Sequence, residues 1–427
     1  MELRLKKTIL GAAATVAIYA GAVASVASLA VSAQRPATLA ARATPARQPA
    51  APAQAVAQRR PAAAPVWRVG TSQRPVMAEQ LFTNITDLKG ITATELMETM
   101  GFFSAALNET CTYCHTEESG GSWPRYADDG NPLKNTTRRM IRMVNNINRI
   151  NFGGAQLVTC FTCHQAAEQP KSTPTLAEQY EPPANFEPDA IASQNPNAPP
   201  PDQLIDKYIQ AIGGAARVAG VTSVAAKGAF ESYTAILRGT AEFYAKAPNQ
   251  RTIIFHTASG EHTIASNGTE VWQAGPEDTT PFPLIALSGA ALEGMLTDAK
   301  LFFPTQIKQT LTRWRTGTPI MIDGREVQVV QGSMPSGGPV KLYFDSETGL
   351  LVRQVRYIKT IVGMNPYQID YSNYKELSGV KLPSQIVITF VDGFYKMNFD
   401  DVQVNVPVDP AKFSQPAAPT FRDRSQG

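Results

Sequence analysis

The chain has 427 residues, enough for two or three domains, with 32 prolines and a formal net charge of only +3. So small a charge gives no footing for a nucleic-acid partner or for adhesion to an acidic membrane surface. Four cysteines and four histidines are few enough that the placement of each one is informative.

Residues 1–33 read as an export signal or an N-terminal anchor. Arg4, Lys6 and Lys7 make a basic start, and an Ala/Val-rich apolar run follows from Thr8 to about Ala30. Val31-Ser32-Ala33 then offers the small-x-small site of a signal peptidase. Cleavage there leaves Gln34 first; uncut, the run is long enough to span a bilayer. Residues 34–66 are mostly Ala, Pro, Gln and Arg. Such a stretch buries too little apolar surface to offset its ordering entropy, so an extended tether is expected.

Residues 67–170 carry the chemistry. Cys-x-x-Cys-His occurs twice, as Cys111-Thr112-Tyr113-Cys114-His115 and Cys160-Phe161-Thr162-Cys163-His164, and uses every cysteine of the chain. The pattern is that of c-type haem attachment: two thiols add across the vinyl groups of one haem, and the next imidazole becomes a ligand of its iron. Two other chemistries suit paired cysteines, a four-cysteine zinc site and redox dithiols. Neither requires a histidine directly after each pair, and both pairs have one. The expectation is two covalently bound haem c groups on Cys111, Cys114, Cys160 and Cys163, with His115 and His164 on the irons.

An amphipathic helix is expected before each motif. The first starts at the capping pattern Thr92-x-x-Glu95 and places Leu96, Met100, Phe103 and Leu107 on one face. The second is expected after Asn135-Thr136, with Met140, Met143, Val144 and Ile147 on a face. A thioether commonly completes a c-type haem iron and raises its potential. Met97 or Met100 for the first haem, and Met140 or Met143 for the second, are the candidates, and spacing alone does not choose within either pair; a methionine on such a face also serves as plain core. Thr116 to Lys134 reads as a loop in which Trp123 and Tyr126 anchor the turn or cover a haem edge. Arg138, Arg139, Arg142 and Arg149 bring positive charge near the second motif, where at least one is expected to meet a haem propionate.

Residues of about 81–168 resemble the tetrahaem cytochrome c subunit of photosynthetic reaction centres. The likeness rests on Thr94-Glu95-Leu96-Met97-Glu98-Thr99-Met100, Arg138-Arg139-Met140-Ile141-Arg142-Met143, Ile147-Asn148-Arg149 and Val158 to His164. It implies that Met100 and Met140 are the axial thioethers, that Met97 and Met143 are packing residues, and that the protein relays electrons, with redox proteins or a membrane complex such as a reaction centre as partners. Two of that family's four haem units are present, and its lipid-anchor cysteine is absent.

Residues 171–202 are proline-rich, with Pro196 to Pro201 densest, and read as a second linker. From 203 to about 415 the pattern becomes strands with tight turns, such as Asn267-Gly268 and Leu377-Ser378-Gly379-Val380. They follow a short helix over Leu204 to Ile212 and surround a helical interlude from Leu284 to Phe303. The fold class expected is therefore multi-domain: an α-helical c-type dihaem module, then an α+β domain with a curved antiparallel sheet. Leu342-Tyr343-Phe344-Asp345, Thr348-Gly349-Leu350 and Tyr371 to Pro383 resemble the periplasmic lipoprotein-carrier fold (LolA/LolB-like), whose concave face takes acyl chains. His256 and His262 lie in this part with no companion ligands at diagnostic spacing and read as ordinary strand residues.

These features point to an exported, periplasmic electron carrier rather than an enzyme. The alternatives are a haem peroxidase, which needs an open iron and distal acid–base groups, and a redox-sensing or lipid-binding module.

Overall fold

The computed structural model describes residues 69–418, apart from 117–118, 120–122, 175, 181–187, 233–236 and 277–279. The expected export signal and tether lie outside the described residues. Among those described, no helix is long and apolar enough to cross a membrane.

The helical part holds α1 (Ala78–Leu81), α2 (Ala93–Leu107), α3 (Cys111–Cys114), α4 (Pro132–Asn151), α5 (Cys160–His164) and α6 (Leu176–Tyr180). Helix α2 starts where the capping pattern places it. The Thr92 side chain accepts from Glu95 N at 3.1 Å, a cap worth about 1 kcal/mol. The helix stops at Asn108, which turns left-handed at φ 56°. Helix α4 begins a turn earlier than its expected Asn135-Thr136 start. Asn131 is the cap, its side chain accepting from Leu133 N at 3.0 Å, and Pro132 occupies the first position, where no N–H is needed.

The sheet part opens with α7 (Pro201–Ala211) and α8 (Ala215–Ala219). Six strands follow: β1 (Ser223–Ser232), β2 (Arg238–Lys246), β3 (Gln250–Thr257), β4 (Gly260–Ser266), β5 (Val271–Ala274) and β6 (Leu284–Ala286). After α9 (Gly289–Leu301) and α10 (Ile307–Thr310) come β7 (Thr312–Thr316), β8 (Ile320–Ile322), β9 (Arg325–Ser333) and β10 (Pro339–Asp345). The last four are β11 (Leu351–Lys359), β12 (Met364–Leu377), β13 (Val380–Phe390) and β14 (Gly393–Val404). The expected interlude from Leu284 is helical only from Gly289. Leu284 to Ala286 are wholly buried and pair with β5 as an edge strand, a tertiary demand that a short apolar run cannot signal by itself.

All fourteen strands form one sheet in the order β6-β5-β4-β3-β2-β1-β14-β13-β12-β11-β10-β9-β7, with β8 on β9. It consists of two meanders, β1 to β6 and β7 to β14, zipped together by antiparallel β1–β14 pairing. Ladder irregularities at Lys227/Gly228 and Tyr343/Phe344 help it bend. The sheet curls far enough for Ile253 and Val271 of one meander to share a single core with Val330, Val340 and Ile369 of the other, around Leu204 and Ile205 of α7, Met295 of α9 and Ile307 of α10. Strand β13 shows the cause in sequence, with buried and more exposed residues alternating along it.

The described residues all belong to one compact unit. The stretch 188–199, proline-rich and without helix or strand, lies along the sheet edge. Ile191 N donates to Gln331 Oε1 at 2.7 Å, Arg315 donates to Ile191 O, and Thr316 Oγ1 donates to Pro199 O at 2.8 Å.

Candidate haem-attachment sites

Each Cys-x-x-Cys-His motif forms one short helical turn. Cys111–Cys114 is α3, and Cys160–His164 is α5, opened by a reciprocal cap between Thr159 and Thr162. In both turns the histidine ring is held the same way. His115 Nδ1 is 3.0 Å from Tyr126 O, and His164 Nδ1 is 3.1 Å from the carbonyls of Ala167 and Glu168. A carbonyl only accepts, so Nδ1 carries the proton. Nε2 is then the lone-pair nitrogen, and among the described residues it has no hydrogen-bond partner in either ring. Burial, and then the nearby Lys134 charge, push the His115 pKa below its usual value, keeping the ring neutral as a metal ligand requires.

The four cysteines are unpaired. Burial raises the pKa of the Cys111 and Cys114 thiols, and pushes Cys160 up to about 11. Redox-active dithiols have lowered pKa values, so these pairs do not resemble them. Among the described residues, no three His, Cys, Asp or Glu side chains converge to hold a metal ion, so the two pairs are not assembled into one tetrahedral set. The donor set instead fits two separate c-type haems: two free thiols and one imidazole oriented by backbone carbonyls at each turn.

The flanking helices are interleaved. Helix α2 packs on the second motif and α4 on the first. Ala166 N donates to Ala106 O at 3.0 Å, and Asn131 Nδ2 donates to the carbonyls of Tyr113 and His115. Met100 is half-buried in a cluster with Phe103, Ala106, Ile141 and Cys160. Met97 packs elsewhere, against Val76, Ala93, Phe282 and Ile285. On α4 the buried stripe is Ile141, Val144 and Asn148. Met140 is 36% and Met143 44% exposed, so the packing role expected of Met143 is not what the structure shows; the neighbouring stripe takes it. Further along lie Ile150, Phe152, Leu157 and Phe161, all exposed, so that most exposed large apolar side chains of the described residues fall between positions 140 and 161 of the chain.

Several residues that build the site were not legible beforehand. Lys134 Nζ donates to the carbonyls of Tyr126, Ala127 and Asp128, wrapping the loop whose Tyr126 carbonyl holds His115. Asp129 pairs with Arg138 at 2.9 Å and Lys134 at 3.1 Å; the Arg138 hydrogen bond leads in holding its carboxyl well below the usual range. Asn148 accepts from Leu157 N and Val158 N and donates to Val158 O, closing the turn that leads to Cys160. Tyr126 is a loop anchor, its ring centroid 4.9 Å from that of His115 in an edge-on arrangement, with Trp123 stacked on it. Of the four arginines, Arg138 and Arg142 are paired with Asp129 and Asp87. Among the described residues, Arg139 donates to Thr136 and Arg149 to Asn146, and neither has a carboxylate partner.

The comparisons with known proteins fall on this same part of the chain. A family model described as "Photosynthetic reaction centre cytochrome C subunit" matches residues 37–212. The chain resembles that family. The photosynthetic reaction center cytochrome c subunit of Rubrivivax gelatinosus is 34% identical over 98 residues, 22% of this chain and 25% of that protein. The subunit of Roseobacter denitrificans is 31% identical over 101 residues, 22% of this chain and 26% of that protein. The match thus spans about a quarter of the length of these cytochrome subunits. Among solved structures, a LolA superfamily protein from Nitrosomonas europaea covers 51% of this chain and 98% of its own at 14% identity and a TM-score of 0.35. A DUF1329 family protein from Desulfovibrio piger covers 51% and 98% at 12% identity and a TM-score of 0.36.

The sheet part offers no second reactive centre among the described residues. His262, enclosed by Phe255 and Tyr395, is pushed by burial down to about 4. His256 lies 3.6 Å from Glu261 and 3.7 Å from Glu242 on a strand surface. One cavity of the sheet part, lined by residues including Tyr208, Phe302, Tyr371 and Tyr374, measures about 30 Å³, far short of an acyl chain.

Proposed function

We propose that the protein is an exported carrier of single electrons with two covalently attached haems, working beside a membrane redox complex of the reaction-centre kind. The observation that carries this reading is the repeated arrangement of two free thiols and an imidazole whose Nδ1–H is engaged by backbone carbonyls. Cys111, Cys114 and His115 would hold one haem, and Cys160, Cys163 and His164 the other. Met100 and Met140 would be the second axial ligands, as the likeness to the cytochrome subunits implies. When bound, each haem supplies a one-electron Fe(III)/Fe(II) couple.

The chain's own residues do the rest. Tyr126 O and the carbonyls of Ala167 and Glu168 fix the tautomer and tilt of each imidazole and strengthen it as a donor. The exposed side chains of Leu157 and of Phe161, which lies within the second motif, would exclude water from it. Arg139 and Arg149, with no carboxylate partner among the described residues, would meet propionates there. A thioether on both irons leaves no open position, and His256 and His262 stand in the sheet, so the residues favour electron relay over peroxidase chemistry. A potentiometric titration of the full chain from a haem-attaching host tests this. Two one-electron waves with low-spin spectra are expected; a high-spin, ligand-binding iron would overturn the reading.

A further inference from the structure

We propose that the β-sheet domain is a clamp that positions the helix carrying Met100, an inference that rests on the dihaem reading above. The sheet meets α2 through two of its hairpin turns. At the β11–β12 turn, Thr360 is buried and closes the loop on itself: its Oγ1 donates to Gly363 O at 2.9 Å and accepts from Val362 N and Gly363 N. The Phe102 ring of α2 lies directly on Gly363. A Cβ there would sit 2.4 Å from two ring carbons, so the helix comes this close only because position 363 has no side chain. Val362 joins Leu96, Phe102, Phe103 and Met100 in one apolar cluster. Just beyond the turn, Asn365, 1% exposed, donates to Glu98 O at 2.8 Å and Glu98 Oε2 at 2.9 Å. At the β13–β14 turn, Val391 and Asp392 press on the backbone of Gly101, where a Cβ would lie 2.9 Å from Val391 Cγ2.

Three α2 positions on either side of Met100, namely Glu98, Gly101 and Phe102, are thus gripped by the sheet, while Met100 packs against the cluster that also takes Cys160. The β11–β12 turn also reaches the chain leading to the second motif, with Gln156 Nε2 donating to Thr360 O. Buried polar groups such as Asn365 Nδ2 and Thr360 Oγ1 are costly unless matched. Here Asn365 Nδ2 finds both of its partners on α2, while Asn365 Oδ1 has none among the described residues, so the side chain's hydrogen bonds go to that helix alone. A methionine has three rotatable bonds and does not position itself. Ligand geometry must hold to about half an ångström, which calls for a supporting layer on rigid elements. Asn365, Gly363 and Gly101 are positioning residues in this sense.

The test uses the full chain made with haem attached. In Asn365→Leu and Gly363→Ala, two haems per chain are still expected. The weak sulfur-to-Fe(III) band at about 695 nm should lose about half its strength, the share of one iron of two. One reduction equilibrium should weaken at least tenfold while the other stays put. Gly363→Ala combined with Phe102→Leu makes room for the added methyl and should restore most of the band. Met364→Ala, at an exposed neighbouring position, should change nothing. Unchanged bands and potentials in both single variants, or equal loss at both irons, would overturn the clamp. A parent protein with two haems and no such band would instead overturn the methionine ligation beneath it.

Discussion

The Tyr113 hydroxyl, inside the first motif, donates to the Glu168 carboxylate, just past the second, over 2.6 Å. The Glu168 carbonyl in turn accepts from His164 Nδ1. A residue of one attachment turn therefore holds the residue that orients the histidine of the other. The hydrogen bond to Glu168 is the main cause pushing the Tyr113 pKa up to about 12. The pair lies at the surface, so Tyr113→Phe should cost only about 1 kcal/mol. Thermal unfolding followed by circular dichroism should show a drop of a few degrees at most, with both haems retained. No drop at all would mean the link carries no stability.

The methionines divide into two classes. Met100→Leu and Met140→Leu should each remove about half of the 695 nm band, one iron's share, and lower one potential. Met97→Leu, a swap inside the packed cluster with Val76 and Phe282, should leave the band intact at a cost below about 1.5 kcal/mol. Visible spectra of the four oxidised variants, including Met143→Leu, check the assignment. A band lost with Met143 and kept without Met140 would exchange their roles.

A buried ion pair sits within the sheet's concave core. Arg356, 1% exposed, holds the wholly buried Asp298 through Nε at 2.9 Å and Nη2 at 2.8 Å, while Gln354 donates to the same carboxylate at 2.6 Å. Arg356→Met leaves Asp298 charged and only partly matched, which should cost about 3–5 kcal/mol, and Arg356→Met with Asp298→Asn should recover part of it. Denaturant unfolding of the single and double variants reads both values.

Acid should weaken the fold through His262. Its folded pKa of about 4 lies below its ordinary 6.5, so the unfolded chain binds the proton more readily. The stability carried by the neutral ring is complete above pH 6.5 and is lost as pH falls through 4. The loss amounts to at most about 3 kcal/mol. His262→Phe should flatten the stability curve over this window. An unchanged slope would show that the ring is not enclosed as the stacking on Phe255 implies.

Local signals in the sequence were legible where chemistry or capping is written in a few adjacent residues. The Cys-x-x-Cys-His turns, the Thr92 cap and the Asn267-Gly268 and Ser378-Gly379 turns all reappear in the structure. Long-range pairing was not legible. Nothing in Leu284 to Ala286 says strand until β5 lies beside it, and the start of α4 depends on an Asn131 amide that also reaches back to the first motif. Lys134 looked like one basic residue among many, yet its three carbonyl partners shape the loop that holds His115. The contact of Asn365 with Glu98 joins residues far apart in the chain, which no local pattern reveals.

The most direct test of the central claim is the haem-to-chain ratio of the denatured full-length protein, measured as pyridine haemochrome beside metal analysis. The account predicts two haems that stay attached on denaturation, falling to one in Cys111→Ser with Cys114→Ser and to one in Cys160→Ser with Cys163→Ser. Protein with no attached haem and one zinc per chain would contradict it.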